Sequence, residues 1–174
     1  VGYPIPGCEY RFEGGPNDKQ GELVLRNPGV ALGFYNYPEE TERCFKDGWN
    51  YSGDIMRQDE DGWFYFVGRV DDMFVCGGEN IFPGQVESLL EKFARISQAV
   101  VLPFSHETKG EVPYAFVVAE KGATLGEDDV KAYAIENGPA YAHPRRVFVM
   151  PEIPLTGTNK TDRAALRALA GEKV

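Results

Sequence analysis

Residues 68–87, GRVDDMFVCGGENIFPGQVE, decide how this chain is organised. The stretch follows an aromatic strand pattern and continues through an acidic pair that begins at Asp71. A short apolar run leads to the glycine pair Gly77 and Gly78, and an amphipathic helix begins at Pro83. Strand, acidic joint, flexible glycine turn and helix predict a movable junction, because few residues there must absorb a large change in φ and ψ.

The composition limits the classes of function. With 174 residues the chain is long enough for one or two compact domains. The 18 basic and 27 acidic side chains give a formal net charge of −9, which argues against nucleic acid and anionic membranes as partners. No apolar run approaches membrane-spanning length and no signal-peptide pattern opens the chain, so we expect a cytoplasmic protein.

The cysteines and histidines do not suggest a reactive or metal site. Cys8, Cys44 and Cys76 are an odd number without CxxC spacing, which is typical of reduced thiols. Cys76 could act as a nucleophile, but no base stands near it in the sequence, so a packing role is favoured. His106 and His143 lack ligand spacing, and no metal site is predicted.

The periodicity predicts strands and turns before the junction and alternating helices and strands after it, an α+β fold. Predicted strands are residues 9–12, 22–25, 51–57, 63–69, 97–102, 114–119 and 146–150, and predicted helices are 38–45, 83–93, 126–137 and one capped by Thr161 that runs to residue 170. Residues 14–18 are predicted as a turn and residues 105–112 as a polar loop.

Three segments together resemble a known family. Residues 68–87 match its interdomain motif nearly residue for residue, and WNYSGD at residues 49–54 and PLTGTNK at residues 154–160 match two further motifs in the expected order. The family is the adenylate-forming acyl-CoA synthetase superfamily. The resemblance implies that residues 1–70 are the β-rich end of a large N-terminal lobe and that residues 71–174 are a small, mobile α+β C-terminal domain. The chain would then be the last third of a longer protein.

The resemblance implies a nucleotide site at Asp54, Phe66 and Arg69. The family's aspartate at the first position binds the ribose of ATP, and Ser52 stands here for the usual threonine. Arg69 would reach ribose or phosphate oxygens in fork geometry. From the residues alone, Asp54 could be a turn aspartate, Arg69 a surface arginine and Phe66 a core aromatic.

The resemblance also implies a hinge and a coenzyme A site. Asp71 matches the hinge position, and Gly77, Gly78 and Glu79 match the loop that lines the pantetheine tunnel. A pair of aspartates could equally be a solvated loop.

A second segment resembles the coenzyme A sites of some aryl-CoA ligases. Tyr141, His143 and Arg145 would contact the adenine and phosphates of coenzyme A, by stacking and by charge. The alternative for this segment is a strand entry with solvated charges.

Lys160 is the candidate catalytic residue. It follows a turn rich in Gly, Thr and Asn, where a flexible ammonium can be delivered to a reacting centre. Adenylation brings a carboxylate and the α-phosphate together, and a cation that bridges both offsets their repulsion. Without the resemblance, Lys160 would be an ordinary surface lysine before a helix.

Together these features predict the C-terminal part of an ATP-dependent acyl- or aryl-CoA ligase. Its partners would be a small carboxylic acid, ATP, coenzyme A and the missing N-terminal lobe, with Mg²⁺ held by ligands outside this chain. The chain alone is expected to be inactive. Two alternatives remain, a non-catalytic module that binds coenzyme A or AMP and an adenylation domain that loads a carrier protein.

Overall fold

The computed structural model describes residues 2–171. They form two compact units, residues 2–72 and 73–171, and the division lies inside the stretch that joins the predicted domains. The α+β fold class is confirmed, because both sheets carry helices beside them. The assignment of residues 1–70 to a large lobe and residues 71–174 to a mobile domain stays a prediction, and its outermost residues lie outside the described ones.

The first unit is an antiparallel five-stranded sheet with one short helix. Its elements are β1 (Glu9–Asn17), β2 (Gln20–Arg26), α1 (Pro38–Cys44), β3 (Phe45–Lys46), β4 (Trp49–Gln58) and β5 (Phe64–Arg69). β4 pairs with β2 along one edge, while β3 and β5 share its other edge. A small core of Leu23, Met56 and Phe64 lies beneath the partly buried rings of Tyr10 and Phe12.

The second unit is a mixed sheet covered by helices. Its elements are β6 (Phe74–Cys76), β7 (Glu79–Ile81), α2 (Pro83–Leu90), β8 (Ile96–His106), β9 (Gly110–Ala119), α3 (Glu127–Asn137), β10 (Arg146–Met150) and α4 (Arg163–Gly171). β9 is the central strand. β8 pairs antiparallel with one edge of β9, and the other edge is shared by β6, antiparallel, and β10, parallel.

Alternating side chains of β8 and β9 feed two separate cores. Val101 and Val117 join the cluster that includes residues of α2 and α3. Leu102 and Phe116 join the cluster that includes Leu166 of α4. Successive strand residues point to opposite faces, so a sheet with helices on both faces needs strands that are apolar throughout. This explains why β8 and β9 are nearly continuous apolar runs in the sequence.

Several strands run further than their apolar segments predict. β1 continues through residues 14–17, which the sequence predicts as a turn, and the loop between β8 and β9 is shorter than the predicted residues 105–112. The side chains at these strand ends are mostly exposed, so their polarity does not oppose backbone pairing. The sequence does not predict β3, β6 and β7, because two or three residues are too few for a periodic signal.

Two helix boundaries also differ from the prediction. α2 ends at Leu90 rather than residue 93, because the Phe93 N–H donates to the Leu90 carbonyl (3.0 Å) and the chain tightens into i→i+3 turns. At α4, the Asp162 carboxylate accepts a backbone N–H of the first turn (3.0 Å) and caps the helix instead of Thr161. Thr161 is engaged in a β-bridge with Leu155.

Glutamate side chains cover strand edges of the second sheet. Glu87 of α2 accepts the N–H of Val101 on β8 (2.8 Å), and Glu91, one turn later, accepts a second N–H of the same strand (3.2 Å). Glu127 of α3 accepts the N–H of Val147 on β10 (3.1 Å). Each carboxylate satisfies a backbone donor at a strand edge that would otherwise need water.

Substituting Glu87 with methionine should destabilise the second unit. The variant keeps the apolar stem but leaves the N–H of buried Val101 without this acceptor, a loss of about 1–3 kcal/mol in the free energy of unfolding. Hydrogen exchange of the β8 amides measures it. Glu87→Gln, which keeps an acceptor oxygen, should lose less, and Ser88→Ala on the exposed side of α2 is the control. Unchanged exchange in Glu87→Met would contradict this role.

Candidate functional site

Residues 52–54 form a bulge in β4 that carries the predicted ribose ligand. Three residues of β4 lie opposite a single residue of β2, Leu23. The Ser52 hydroxyl donates to the Leu23 carbonyl (2.7 Å) and accepts the Asp54 N–H (3.1 Å). Gly53 has a φ of +70°, a conformation that glycine adopts without strain. The hydroxyl and the glycine together set the backbone from which the Asp54 carboxylate projects.

Arg69 lies directly opposite Asp54 in the β4–β5 pair, on the shared edge that the sequence predicts. Its Nη1 is 2.6 Å from Asp54 Oδ1, and the side chains stay 44% and 37% exposed, respectively. The guanidinium also crosses Gly53, where an added Cβ would lie 2.9 Å from Nη2. The two charged groups are therefore held together and remain accessible to a ligand.

The other candidates of the first unit are Phe66 and Asp71. Phe66 on β5 is 50% exposed, so it is not a core aromatic. Asp71 is exposed, and its Oδ1 lies 3.4 Å from Nη1 of Arg43 on α1, with which it forms an ion pair. Arg43 also forms an ion pair with Glu40. These observations do not test whether Phe66 stacks on a nucleotide base or whether Asp71 is a hinge. Both roles stay predictions.

Gly77 and Gly78 are the two central residues of the β6–β7 hairpin. Their φ values are +60° and +92°, and a positive φ at both positions is what a type I′ turn requires. The Gly77 N–H donates to the Lys109 carbonyl (2.9 Å), and Glu79 after the turn is exposed. The predicted turn is confirmed as the end of a hairpin with backbone hydrogen bonds, and its flexibility stays a prediction.

The segment at residues 141–145 lies along the same edge of β9 as the glycine turn. The Arg145 N–H donates to the Pro113 carbonyl (2.8 Å), and β10 begins at the next residue. Cys76, just before the turn, pairs with Gly110 on that edge. Because Gly110 and Pro113 are three strand residues apart, roughly 10 Å, two groups that are distant in sequence meet at one place.

His143 contacts two neighbours through its ring nitrogens. The Ala140 carbonyl lies against Nδ1, and Arg145 Nη1 lies against both Nδ1 and Nε2. Since a carbonyl can only accept, the contact with Ala140 requires a proton on Nδ1. Burial lowers the pKa of His143, the hydrogen bond to Ala140 opposes this, and the charges of Arg145, Lys109 and Lys131 lower it further.

Lys109 is the residue of this region that the sequence did not single out. Its carbonyl holds the Gly77 amide, and its ammonium is close enough to His143 to lower the pKa of the imidazole. In the sequence it belongs to a predicted polar loop, where a lysine is indistinguishable from a solvated charge. Its position next to Gly77 depends on strand pairing, for which the sequence holds no local signal.

Lys160 lies on an exposed loop that follows β10, whereas residues 141–145 precede that strand. The Thr156 N–H donates to the Lys160 carbonyl (2.7 Å), which closes the loop at its base. Among residues 2–171, no carboxylate forms an ion pair with the Lys160 ammonium. The charge is therefore available to an anionic ligand.

Three further features bear on function: metal ligands, membrane-spanning helices and cysteine thiols. Within residues 2–171, no group of three or more His, Cys, Asp or Glu side chains is placed to hold a metal ion. No helix in that range is long and apolar enough to cross a membrane. Cys8, Cys44 and Cys76 have free thiols, and Cys76 is buried in the core of the second unit, as expected for a packing role.

Substituting Gly53 with alanine should destabilise the first unit more than the same change at Gly48. Both glycines have positive φ, +70° and +77°, so each variant loses about 1–2 kcal/mol to backbone strain. Only Gly53→Ala also displaces Arg69, because the space around Gly48 is open. Urea unfolding followed by the fluorescence of Trp49 and Trp63 measures the difference. Equal losses would show that Arg69 does not lie across Gly53.

The imidazole of His143 should titrate below its ordinary pKa of about 6.5, because burial and nearby cations disfavour its charged form. Arg145→Gln and Lys109→Gln should each raise the midpoint, and Lys121→Gln, at a turn outside this group, should not. NMR titration of the ring protons, assigned with His143→Gln, measures it. A titration midpoint that stays the same in both variants would contradict the placement of Arg145 and Lys109 near His143.

The same shift fixes the sign of a pH effect on stability. Because the folded-state pKa of His143 is lowered, the unfolded chain binds more protons below about pH 6.5. Stability should therefore fall as the pH drops through and below that value, and this part of the decrease should disappear in His143→Gln.

Known proteins resemble this chain in sequence and in the fold described above. The family model described as the AMP-binding enzyme C-terminal domain matches residues 85–160, which include β8 to β10 and Lys160. The chain is 39% identical over 155 residues to a medium/long-chain-fatty-acid–CoA ligase of Mycobacterium tuberculosis, covering 85% of this chain and 27% of that protein. It is 36% identical over 149 residues to a 2-succinylbenzoate–CoA ligase of Geobacillus kaustophilus, covering 86% and 30%.

Solved structures give the same result. The o-succinylbenzoate CoA synthetase of Bacillus subtilis, solved with its acyl-adenylate intermediate, matches with a TM-score of 0.83 at 28% identity, over 94% of this chain and 34% of that one. An amide bond synthetase of Marinactinospora thermotolerans matches with a TM-score of 0.86 at 28% identity, over 98% and 35%. The chain spans 27% to 36% of the length of its curated relatives. Residues 85–160 belong to the AMP-binding enzyme C-terminal domain family, and the chain is similar over most of its length to CoA ligases of the adenylate-forming acyl-CoA synthetase superfamily.

Proposed function

We propose that this chain is the C-terminal part of an ATP-dependent acyl- or aryl-CoA ligase. In the first step a carboxylate oxygen attacks the α-phosphorus of ATP, and pyrophosphate leaves. In the second step the thiolate of coenzyme A attacks the acyl carbon, and AMP leaves. The curated relatives named above are CoA ligases of carboxylic acids, which supports this reaction class for the complete protein.

The observation that carries the proposal is the meeting of two sequence-distant groups on one edge of β9. The Gly77–Gly78 turn has no side chains, and the space at both Cβ positions is open, so a narrow chain can pass close to its backbone. Lys109 binds the turn through its carbonyl, and Arg145 lies on the same strand edge, with both cations near His143. The half-exposed ring of Tyr141 lies four residues before Arg145 in the chain. An open backbone with two cations nearby suits a pantetheine arm that ends in an adenine nucleotide with phosphates, on whose base Tyr141 can stack.

The first unit would supply part of the nucleotide site. The exposed Asp54 carboxylate can accept both ribose hydroxyls, and Arg69 beside it can donate to ribose or phosphate oxygens. Phe66, half exposed on β5, offers an apolar surface to the nucleotide. When the nucleotide binds, its hydrogen bonds replace the ion pair between Asp54 and Arg69, so both charged groups keep a partner.

Lys160 would act in adenylation only. Its ammonium, which no carboxylate of residues 2–171 pairs with, can lie between the attacking carboxylate and the α-phosphate and offset the repulsion of the two anions. We propose that Asp71 is the hinge about which residues 71–174 rotate, so that Lys160 leaves and the glycine turn approaches for the second step. The separate positions of Lys160 and residues 141–145, after and before β10, support such an alternation.

Further partners belong to the same proposal. ATP, coenzyme A and a small carboxylic acid are the substrates, and the N-terminal lobe is the partner of this chain. Mg²⁺ belongs to the proposal as a cofactor whose ligands lie outside this chain, since residues 2–171 offer no cluster of metal ligands. A cytoplasmic location stays part of the proposal.

A second candidate function differs only in the group that accepts the acyl chain. The amide bond synthetase matches this chain closely in structure. In that case an amine, rather than the thiolate of coenzyme A, would attack the acyl adenylate. The two candidates share the first step and the role of Lys160, and they separate at the second step.

The test is an assay of the complete protein that contains this chain. Pyrophosphate release is measured across aliphatic and aromatic acids, with and without coenzyme A, with amines as alternative acceptors. Thioester formation is measured separately from supplied acyl adenylate. Lys160→Ala should slow adenylation by about 100-fold or more and leave thioester formation intact, because its cation acts only in the first step. Lys121→Ala, another exposed lysine, is the control.

A second variant tests the coenzyme A site in the same assay. Lys109→Gln should raise the KM for coenzyme A roughly tenfold and leave adenylation unchanged, because it removes one phosphate contact. Pyrophosphate release without any acid, or an unaffected Lys160→Ala, would reject the ligase and favour a binding module. Product formation with amines but not with coenzyme A would favour the second candidate.

A further inference from the structure

The loop that carries Lys160 is closed by hydrogen bonds that converge on Thr156. The Thr156 N–H donates to the Lys160 carbonyl (2.7 Å), and the Thr156 carbonyl accepts the Asn159 N–H (2.9 Å). One step outward, Leu155 and Thr161 form a β-bridge. The base of the loop is therefore a short antiparallel ladder, although its side chains are exposed.

The side chain of Thr156 adds a contact that the backbone alone does not make. Its hydroxyl oxygen lies 3.3 Å from the Lys160 N–H, which donates to it, and 3.0 Å from the Thr158 hydroxyl. Both the N–H and the carbonyl of Lys160 are thus bound to the same residue. Asn159, which lies between Thr156 and Lys160 in the chain, adopts a φ of +60°, an uncommon conformation for a residue other than glycine.

We propose that Thr156 is a positioning residue for Lys160. The proposal rests on the role of Lys160 given above. A lysine side chain has a flexible four-carbon stem, so the place of its ammonium depends on how well its Cα is fixed. Among the described residues no ion pair holds the ammonium. The loop backbone therefore determines the position of the Cα from which the Lys160 side chain extends. A displacement of about 1 Å at a reacting centre can cost a hundredfold in rate.

The hydroxyl is the part of Thr156 that the proposal requires. Threonine is β-branched and holds its χ1 angle, so its oxygen is presented to the Lys160 amide with little loss of rotamer freedom. Valine has the same shape without the oxygen, and serine has the oxygen without the methyl group. The two variants therefore separate the hydrogen bond from the shape of the side chain.

The experiment compares Thr156→Val and Thr156→Ser in the complete protein. Thr156→Val should lower kcat for adenylation about five- to tenfold, the equivalent of one hydrogen bond, with the KM for ATP nearly unchanged. Thr156→Ser should recover most of the rate. Thioester formation from supplied acyl adenylate should be the same in all variants. Urea unfolding of each variant reports whether the fold is intact.

A double variant distinguishes action through Lys160 from a separate effect. In the Lys160→Ala background, Thr156→Val should cause no further loss, because the group it positions is gone. An equal loss in both half-reactions, or an additive loss in the double variant, would overturn the proposal. If Lys160→Ala abolishes adenylation while Thr156→Val has no effect, the ligase stands and the positioning role fails. If Lys160→Ala has no effect, both fail.

Discussion

Hydrogen bonding along the two edges of β9 is the constraint on which the second unit depends. β8 occupies one edge over the full length of the strand, so β6 and β10 must share the other. β9 is just long enough for this arrangement, because Gly110 pairs with β6 and the residues from Tyr114 onward pair with β10. The glycine turn and residues 141–145 are brought together as a result of this division.

The same division leaves outer strand edges that the helices must cover. α2 and α3 do so with glutamates, which accept N–H groups of Val101 and Val147 and so extend the hydrogen bonding of the sheet. A helix that packs apolar residues on one face and bonds a strand edge with a carboxylate is fixed in both distance and rotation. Glu87 is the last residue of the stretch at 68–87, so its place in the sequence pattern has a structural cause in this fold.

The sequence predicts elements well where the signal is local. Pro38 begins α1 as predicted, and the Asp-Gly step at Asp61 joins β4 and β5. Both features need only neighbouring residues, so they can be read before any tertiary contact is known. The pairing of Asp54 with Arg69 is different, because β5 has one extra residue at Val67 relative to β4. Without this bulge Asp54 would lie opposite Gly68.

The sequence predicts poorly what long-range pairing decides. Thr161 and Asp162 are both good helix caps, and only the bridge from Thr161 to Leu155 leaves Asp162 as the cap. Lys109 is positioned by the hydrogen bond from the Gly77 N–H to its carbonyl. No local sequence pattern predicts this bond. The chemistry follows the same division. Asp54 and Lys160 are predicted through the motifs that contain them, whereas the Ser52 and Thr156 hydroxyls bind backbone groups beside them in ways that the motifs do not reveal. Their geometry, and with it the accuracy of the site, is a property of the fold rather than of the motif.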